Sequence, residues 1–363
     1  MIIWKEDVIN LKIGIIGAGA SGMLLANILE QSNIEYDLFE KKKPGRKLLA
    51  SGNGRCNISN SKLTNISYPN NKWAYDLVKN NQTELFKLFM ELNIYTSVDN
   101  EGRMYPISES SQSIYNIFMK NIHNLIELDC NEINKKNNKY YINKSYGPYD
   151  KIIISIGSNA SITDKYSYQL LESIGVNIHS FKPSLVGFKV KEKTKELSGV
   201  RQKCNISLIN NNEILYKEDG EIIFKDDGIS GICIMNASSI YQHLKNKNNT
   251  YLRLDFLKKQ KYLELDSILK PNLLLYINKY NLNPNELILH IIDTYDIKNA
   301  QVAVGGVDYN LLNNNLSYKY DNNIYFSGEV IDADGMCGGY NLMFAFISAI
   351  VISRSIKNEI SNK

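Results

Sequence analysis

The glycine-rich segment at residues 17–22 constrains the fold of this chain more than any other sequence feature. Residues 11–16 read LKIGII, an apolar and β-branched run typical of a strand that is buried on both faces. GAGASG follows at 17–22 and leads into the apolar helical pattern MLLANILEQ, and a second strand pattern, IEYDLFE, ends at Glu40. The acidic residue ends this strand at the distance that the dinucleotide fingerprint requires, so the segment predicts the βαβ unit of a Rossmann fold.

Each glycine of this motif has a separate structural role in such a unit. Gly17 allows the tight turn, Gly19 lets a pyrophosphate approach the backbone, and Gly22 lets the helix pack closely on the strand. The amides at the helix start favour phosphate through the positive end of the helix dipole. Glu40 is predicted to accept hydrogen bonds from ribose hydroxyls, the alternative being a solvated carboxylate beside the lysines at 41–43.

A second segment, GRKLLASGNGRCNISN at 45–60, combines three glycines with three cationic side chains and contains no carboxylate. We call it the basic loop, and its composition predicts an anion-binding site. Because it begins shortly after Glu40, it leaves the sheet at the edge where open α/β folds bind their ligands. Arg46, Lys47 and Arg55 are therefore expected to meet a dinucleotide, although a flexible basic surface loop has a similar composition.

The chain has 363 residues, which is more than a single hydrophobic core usually holds, so two domains, or one domain that carries an insertion, are expected. Residues 1–164 are predicted to form the first part of the nucleotide-binding domain. Residues 165–300, called the insert below, carry alternating strand patterns and a predicted helical part at about 257–296. Residues 301–363 are predicted to complete the nucleotide-binding domain, because a strand at 323–327 leads through a glycine-rich loop into an apolar helix.

Charge and cysteine usage limit the classes of partner. The net charge is +4 and no block of like charges is longer than KKK at 41–43. The sequence therefore argues against a nucleic-acid partner. The five cysteines form no CxxC pair and the four histidines have no ligand spacing, so neither disulfides nor a metal site are expected. The sequence shows no secretory signal and no membrane-length apolar stretch, which predicts a cytoplasmic protein without a membrane partner.

Six motifs, in this order, carry a resemblance to a known family. They are GAGASG, the basic loop, GRMYPIS at 102–108, DDGISG at 226–231, AQVAVGGV at 300–307 and YFSGEVIDADGMCGGYN at 325–341. Together they resemble bacterial NAD(P)/FAD-dependent oxidoreductases of the aminoacetone-oxidase-like and bile-acid-dehydro-reductase-like type. The resemblance implies an α/β fold with a Rossmann-like, two-dinucleotide-binding FAD domain. That domain is discontinuous, and a mainly β insert with a small helical part covers the flavin.

The resemblance also implies which residues bind FAD. The first motif would hold the pyrophosphate and Glu40 the adenosine ribose, while the basic loop would line the phosphates, the ribityl chain and the ring. Backbone groups near Cys130 would meet adenine, Glu329 a ribityl or phosphate-proximal hydroxyl, and the last motif the pyrimidine edge. The full set is Gly17, Ala18, Gly19, Ala20, Ser21, Gly22, Glu40, Lys41, Lys47, Ser51, Gly52, Gly54, Arg55, Cys56, Asn57, Cys130, Gly157, Gly328, Glu329, Gly338, Gly339, Tyr340 and Asn341.

The predicted function is that of an FAD-dependent oxidoreductase that transfers a hydride between flavin and a small organic substrate. The sequence has no second GxGxxG, so either NAD(P)H visits the flavin pocket as a transient donor or another compound is the reductant. Two alternatives stay open: a flavin-dependent RNA-modifying enzyme, and a non-catalytic flavin-binding sensor. The sensor is suggested by Asp226 and Asp227, which stand where relatives commonly have a Thr-His pair. Neither the catalytic acid or base nor the oligomeric state follows from the sequence.

Overall fold

The computed structural model describes residues 11–69, 71–161, 168–258, 260 and 264–362. The first part of the chain is α/β. In chain order it contains β1 (Lys12–Ile16), α1 (Ala20–Gln31), β2 (Glu35–Glu40), α2 (Arg46–Ala50), β3 (Ser59–Asn60), α3 (Lys72–Glu91), β4 (Thr96–Val98), β5 (Arg103–Pro106), α4 (Ser111–Lys120), β6 (Leu125–Glu127), β7 (Ile133–Lys136), β8 (Lys139–Ile142), β9 (Tyr146–Tyr149) and β10 (Lys151–Ile154).

The second part is mainly β, and the last part returns to α/β. The elements of the second part are α5 (Gln169–Glu172), β11 (His179–Ser184), β12 (Phe188–Val190), β13 (Arg201–Asn210), β14 (Glu213–Lys225), β15 (Gly228–Ser230), α6 (Ile232–Gln242), β16 (Thr250–Asp255), α7 (Pro271–Lys279) and β17 (Leu287–Thr294). The last part contains β18 (Val302–Gly306), β19 (Ser317–Tyr318), β20 (Asp321–Phe326) and α8 (Tyr340–Ser361).

A six-stranded sheet in the order β19-β20-β10-β1-β2-β6 forms the centre of the nucleotide-binding part. Its strands from β20 to β6 pair in parallel, and β19 pairs antiparallel at one edge. Ile13, Ile15 and Ile153 are fully buried, as expected for strands that are covered on both faces. The sheet confirms the predicted Rossmann-like fold.

The turn between β1 and α1 is too crowded for most side chains. Gly17 has φ +103°, and a Cβ atom there would lie 2.5 Å from the carbonyl oxygen of Ser155. A Cβ atom on Gly22 would lie 2.0 Å from the carbonyl oxygen of Gly17. These approaches explain why glycine is needed at both positions and how α1 comes close to β1.

The two ends of the chain meet next to this turn. β10 lies between β1 and β20, so the strand from the end of the chain enters the same sheet as the first one. α8 packs against α1. A Cβ atom on Gly328 would lie 2.7 Å from Ser21 Oγ, and the amide of Gly328 donates to Ser348 Oγ at 2.8 Å. We call residues 327–339, between β20 and α8, the closing loop.

The insert contains a closed barrel in the order β12-β15-β14-β13-β16-β17. It has its own core, in which Phe188, Phe224 and Ile206 are fully buried. The expected helical part at 257–296 needs a correction, because it contains α7 and then the strand β17. Residues 287–294 read LILHIIDT, and this β-branched run pairs with β12 and β16 and so closes the barrel.

The predicted domain limits remain predictions. The boundary between residues 164 and 165 lies outside the described residues, and near the other boundary β18 pairs with β11. Residues 125–149 contain β6 of the central sheet and the antiparallel sheet β7-β8-β9. Within the described ranges, every helix is too short or too polar to cross a lipid bilayer.

Candidate functional site

A cavity of about 860 Å³ lies where the strand ends of the central sheet meet the insert. This volume is near the upper end of the range for small-molecule sites. Most residues of the predicted FAD-binding set line it. They are Gly17, Ala18, Gly19, Ala20, Ser21, Glu40, Lys41, Lys47, Ser51, Gly52, Arg55, Asn57, Cys130, Gly157, Glu329, Gly338, Gly339, Tyr340 and Asn341.

Four residues of the predicted set do not line the cavity. Gly22 and Gly328 lie in the close contacts described above, so they act in packing. Cys56 is fully buried, and burial raises the pKa of its thiol to about 11. Gly54 lies in the basic loop with φ +85°, and a Cβ atom there would have no protein atom within 4 Å. These positions shape the loops that carry the site.

The start of α1 forms an open cradle for an anion. Gly19 precedes the first helical residue, and the nearest atom to a Cβ placed there is the Ser155 carbonyl oxygen at 3.9 Å. The space beside Gly19 is therefore part of the cavity. No acidic residue lies in the first turn of α1, so the positive end of the helix dipole is not neutralised there. This geometry suits a phosphate group.

Glu40 is held by the main chain at the end of β2. Its carboxylate accepts hydrogen bonds from the amide of Ala18 at 2.9 Å and from the amide of Lys42 at 3.2 Å. One of these bonds links the carboxylate to the glycine-rich turn. The side chain lines the cavity, so its oxygens are fixed at the wall, where a ribose hydroxyl could reach them.

An ion pair joins the basic loop to the closing loop. Lys47 Nζ lies 2.6 Å from Glu329 Oε2 and donates to the carbonyl oxygen of Ser158 at 3.2 Å. Ser158 Oγ donates to Glu329 Oε1 at 2.8 Å, and the amide of Ala303 donates to the same oxygen at 3.2 Å. Sequence reasoning placed Lys47 and Glu329 separately on a ligand. The structure brings them together as one polar cluster on the cavity wall.

The closing loop is held in shape before α8 begins. Asn341 closes it through two hydrogen bonds of 2.8 Å, one from the amide of Gly335 and one to its carbonyl oxygen. Asn60 Nδ2 donates to the carbonyl oxygen of Gly338 at 2.8 Å. A Cβ atom on Gly339 would lie 2.3 Å from the carbonyl oxygen of Ser59. The start of α8 is thereby fixed at the cavity, as the start of α1 is.

The insert adds residues that sequence reasoning missed. Glu218 of β14 and Ile232, Met235 and Asn236 at the start of α6 line the cavity. The motif DDGISG marked this region, but its acidic residues are not on the cavity wall. Asp227 instead accepts a hydrogen bond from the hydroxyl of Tyr295 at 2.6 Å. The wall residues follow the motif or lie on the facing strand, and the motif alone does not identify them.

Cys337 in the closing loop also lines the cavity. Burial, followed by the nearby charge of Glu218, raises the pKa of this thiol to about 12. A thiol that stays protonated at neutral pH is a poor nucleophile. A thiol-redox role for Cys337 therefore has no support from its surroundings.

A buried carboxylate connects the closing loop to the insert. Asp334 is 1% exposed and accepts hydrogen bonds from Ser184 Oγ at 2.9 Å and from Ser239 Oγ at 2.7 Å. His243 Nε2 of the insert lies 2.8 Å from the other carboxylate oxygen. Ser184 belongs to β11, and Ser239 and His243 lie on or directly after α6, so β11, α6 and the closing loop meet at this one side chain.

The pKa of His243 predicts how stability depends on pH. Burial lowers this pKa, but the hydrogen bond and the charge of Asp334 raise it more, so the pKa lies above its usual 6.5. The charged pair therefore contributes its full stability below about pH 6.5, and this contribution is lost as the pH rises through the raised pKa. We expect the thermal unfolding midpoint to fall between pH 6 and pH 8.5. In His243→Gln this fall should be smaller, and an equal slope in both proteins would contradict the assignment.

A metal centre is not indicated. In the portion of the chain that the structure describes, no group of three or more His, Cys, Asp or Glu side chains is arranged to hold a metal ion. The polar groups of the cavity are main-chain amides, hydroxyl and carboxamide side chains, cationic side chains and separate carboxylates. Such a wall suits an organic anion better than a metal ion.

Comparisons with known proteins agree with this fold. A sequence profile described as "HI0933-like protein Rossmann domain" matches residues 11–355. The 3-dehydro-bile acid delta(4,6)-reductase of Clostridium scindens is 26% identical, over 95% of this chain and 98% of that protein. The ribosomal RNA dihydrouridine synthase of Escherichia coli is 24% identical, over 92% and 95%. Among solved structures, the Mycobacterium smegmatis Sdh1 complex matches 97% of this chain and 69% of its own, with a TM-score of 0.50 and 9% identity, which shows a shared fold.

Proposed function

The chain belongs to the HI0933-like protein Rossmann-domain family, and we propose that it is an FAD-dependent reductase of conjugated carbon–carbon double bonds. The membership confirms the resemblance that the six motifs carry. The names of two relatives support the reaction class, since a delta(4,6)-reductase and a dihydrouridine synthase both add hydrogen across a carbon–carbon double bond. The observation that carries the proposal is the cavity itself, which both ends of the chain line with glycine-rich loops.

The residues present fit FAD. The open space beside Gly19 and the start of α1 would take the pyrophosphate, and the fixed carboxylate of Glu40 would take the ribose of adenosine. The basic loop, through Lys47 and Arg55, would meet the phosphates and the ribityl chain. The amides at the start of α8 would face the flavin ring.

FAD supplies hydride transfer when it is bound, and the chain supplies position and charge. In the proposed net reaction, NAD(P)H gives a hydride and the solvent gives a proton, so one double bond becomes a single bond and NAD(P)⁺ is released. The helix dipole of α8 would stabilise negative charge that develops in the cavity. Ile232, Met235 and Met336 on the wall would exclude water from the reacting groups.

The test is to follow the flavin directly. We expect the purified protein to bind one FAD per chain, to lose its visible absorbance on anaerobic addition of NADH or NADPH, and to regain it on addition of cyclohexenone. Steady turnover under these conditions would also exclude a non-catalytic sensor. A protein that takes up no FAD on titration, or whose flavin neither NADH nor NADPH reduces, would refute the proposal.

A second candidate is an RNA-modifying reductase. Two relatives are named ribosomal RNA dihydrouridine synthase, and Lys41, Lys43, Arg46, Arg55 and Arg103 line the cavity, which would suit a polyanion at its entrance. Reduction of uridine within ribosomal RNA should then weaken steeply with added salt, whereas reduction of a free small molecule should change little. If no RNA is reduced at low salt, small molecules would be the one substrate class that remains proposed.

A further inference from the structure

Glu218 is an unusual member of the cavity wall. It lies on β14 of the insert, whereas the other four carboxylates in the described wall, those of Glu40, Glu101, Asp129 and Glu329, come from the nucleotide-binding part. The side chain is half-buried. A charged group in this position faces whatever occupies the insert side of the cavity.

The orientation of Glu218 is fixed through one oxygen. Tyr216 donates its hydroxyl hydrogen to Glu218 Oε2 at 2.6 Å, and Asn236 Nδ2 donates to the same oxygen at 3.0 Å. Asn236 Oδ1 in turn accepts the amide of Cys337 at 2.8 Å. Burial and the charge of Glu218 raise the pKa of the Tyr216 hydroxyl, so this group keeps its hydrogen and remains a donor. The carboxylate is thus tied to the closing loop.

The second carboxylate oxygen of Glu218, Oε1, differs from Oε2 in its hydrogen bonding. Across the described ranges, no hydrogen bond or ion pair to Oε1 is found, although the residue lines the cavity. When a ligand fills the cavity it displaces water from this oxygen. A carboxylate oxygen without water needs a donor in its place, and a ligand carbonyl there would be repelled.

We propose that Glu218 determines substrate specificity: its Oε1 accepts a hydrogen bond from an N–H or O–H group beside the double bond that is reduced. The inference rests on the proposed reductase function and narrows its substrate class. A conjugated ring imide with a free N–H, such as the uracil ring, has this donor between two carbonyl groups. The same ring methylated at that nitrogen lacks the donor and leaves the carboxylate unpaired.

The experiment uses the FAD-loaded protein and two probes, 1-methyluracil, which keeps the N–H group, and 1,3-dimethyluracil, which lacks it. We expect the prereduced protein to be reoxidised by 1-methyluracil with a kcat/KM about ten- to a hundredfold higher, as a hydrogen bond to a charged group implies. Calorimetric titration of the oxidised protein should show the same preference in Kd. That readout needs no turnover.

The variant Glu218→Gln tests directly whether the carboxylate oxygen is the acceptor. Tyr216 and Asn236 both donate, so they should hold the amide oxygen of the glutamine and turn its NH₂ group toward the cavity. The acceptor becomes a donor, and the preference for 1-methyluracil should shrink to about twofold or less. The matched control is Asp219→Asn, which removes the same charge one residue away. Asp219 pairs with Lys258 at 3.5 Å and is not on the cavity wall, so the preference should remain.

The outcomes separate this inference from the function on which it rests. Equal response to both probes in the wild-type protein, including no response to either, overturns the role of Glu218, as does a full preference in Glu218→Gln. If either of these results is found and cyclohexenone still reoxidises the flavin, the role of Glu218 is wrong but the reductase function stands. If neither NADH nor NADPH reduces the flavin, the proposed function fails, and the inference fails with it.

Discussion

Gly19→Val should weaken FAD binding strongly while leaving the fold intact. The valine side chain would occupy the space beside the start of α1, where the nearest protein atom to its Cβ is 3.9 Å away. It would separate the pyrophosphate from two or more main-chain donors. Hydrogen bonds to charged groups contribute about 1.5–3 kcal/mol each, so the Kd for FAD should rise by about 10² to 10⁴. Titration of the apoprotein with FAD, followed by flavin fluorescence, measures this change.

The matched control lies three residues further along the same motif. Gly22→Ala would place a Cβ atom 2.0 Å from the carbonyl oxygen of Gly17, so α1 would have to move away from β1. We expect this variant to lose about 1–3 kcal/mol of unfolding free energy, as overpacked positions do. Gly19→Val should unfold at the wild-type denaturant midpoint. If Gly19→Val bound FAD normally, the cofactor would not lie at the start of α1.

Asp334→Ala should lower the unfolding free energy more than Gly22→Ala does. The carboxylate is buried and accepts from Ser184 and Ser239 while it pairs with His243. Its removal leaves these groups without their acceptor, and removing one partner of a buried pair costs about 3–5 kcal/mol. Denaturant unfolding monitored by tryptophan fluorescence should show the loss as a lower midpoint.

Ser239→Ala provides the control for Asp334→Ala. It removes one hydrogen bond to the same carboxylate, the bond of 2.7 Å from Ser239 Oγ, and leaves the other two partners in place. The expected loss is about 1 kcal/mol, the usual net contribution of one hydrogen bond. Similar losses in Asp334→Ala and Ser239→Ala would show that Asp334 does not organise the three segments.

The sequence predicted the nucleotide-binding part well because its signals are local. The β-branched run before GAGASG and the acidic end of β2 specify a strand, a turn and a helix within one short segment. The closing loop carries the same kind of signal, since glycines precede an apolar helix. Local patterns of this type reflect backbone conformation, which each segment determines largely by itself.

The insert was harder to predict because its structure depends on distant pairing. Residues 287–294 were expected to be helical, and they form β17 because β12 and β16 provide partners on both sides. Glu218 was missed for a similar reason. Its strand places it opposite Asn236, and only the folded barrel brings both to the cavity. The Lys47–Glu329 pair likewise joins residues that no sequence spacing relates.

The ion pair between Lys47 and Glu329 spans 282 positions of the chain, which has a consequence for biosynthesis. A ribosome adds about 5–20 residues per second, so roughly 15–60 seconds separate the synthesis of these two partners. During that interval β1, α1 and β2 exist without β20 and α8. The nascent polypeptide must therefore keep the side of β10 that later pairs with β20 from wrong associations until β20 emerges, and the cavity is complete only after α8 has emerged as well.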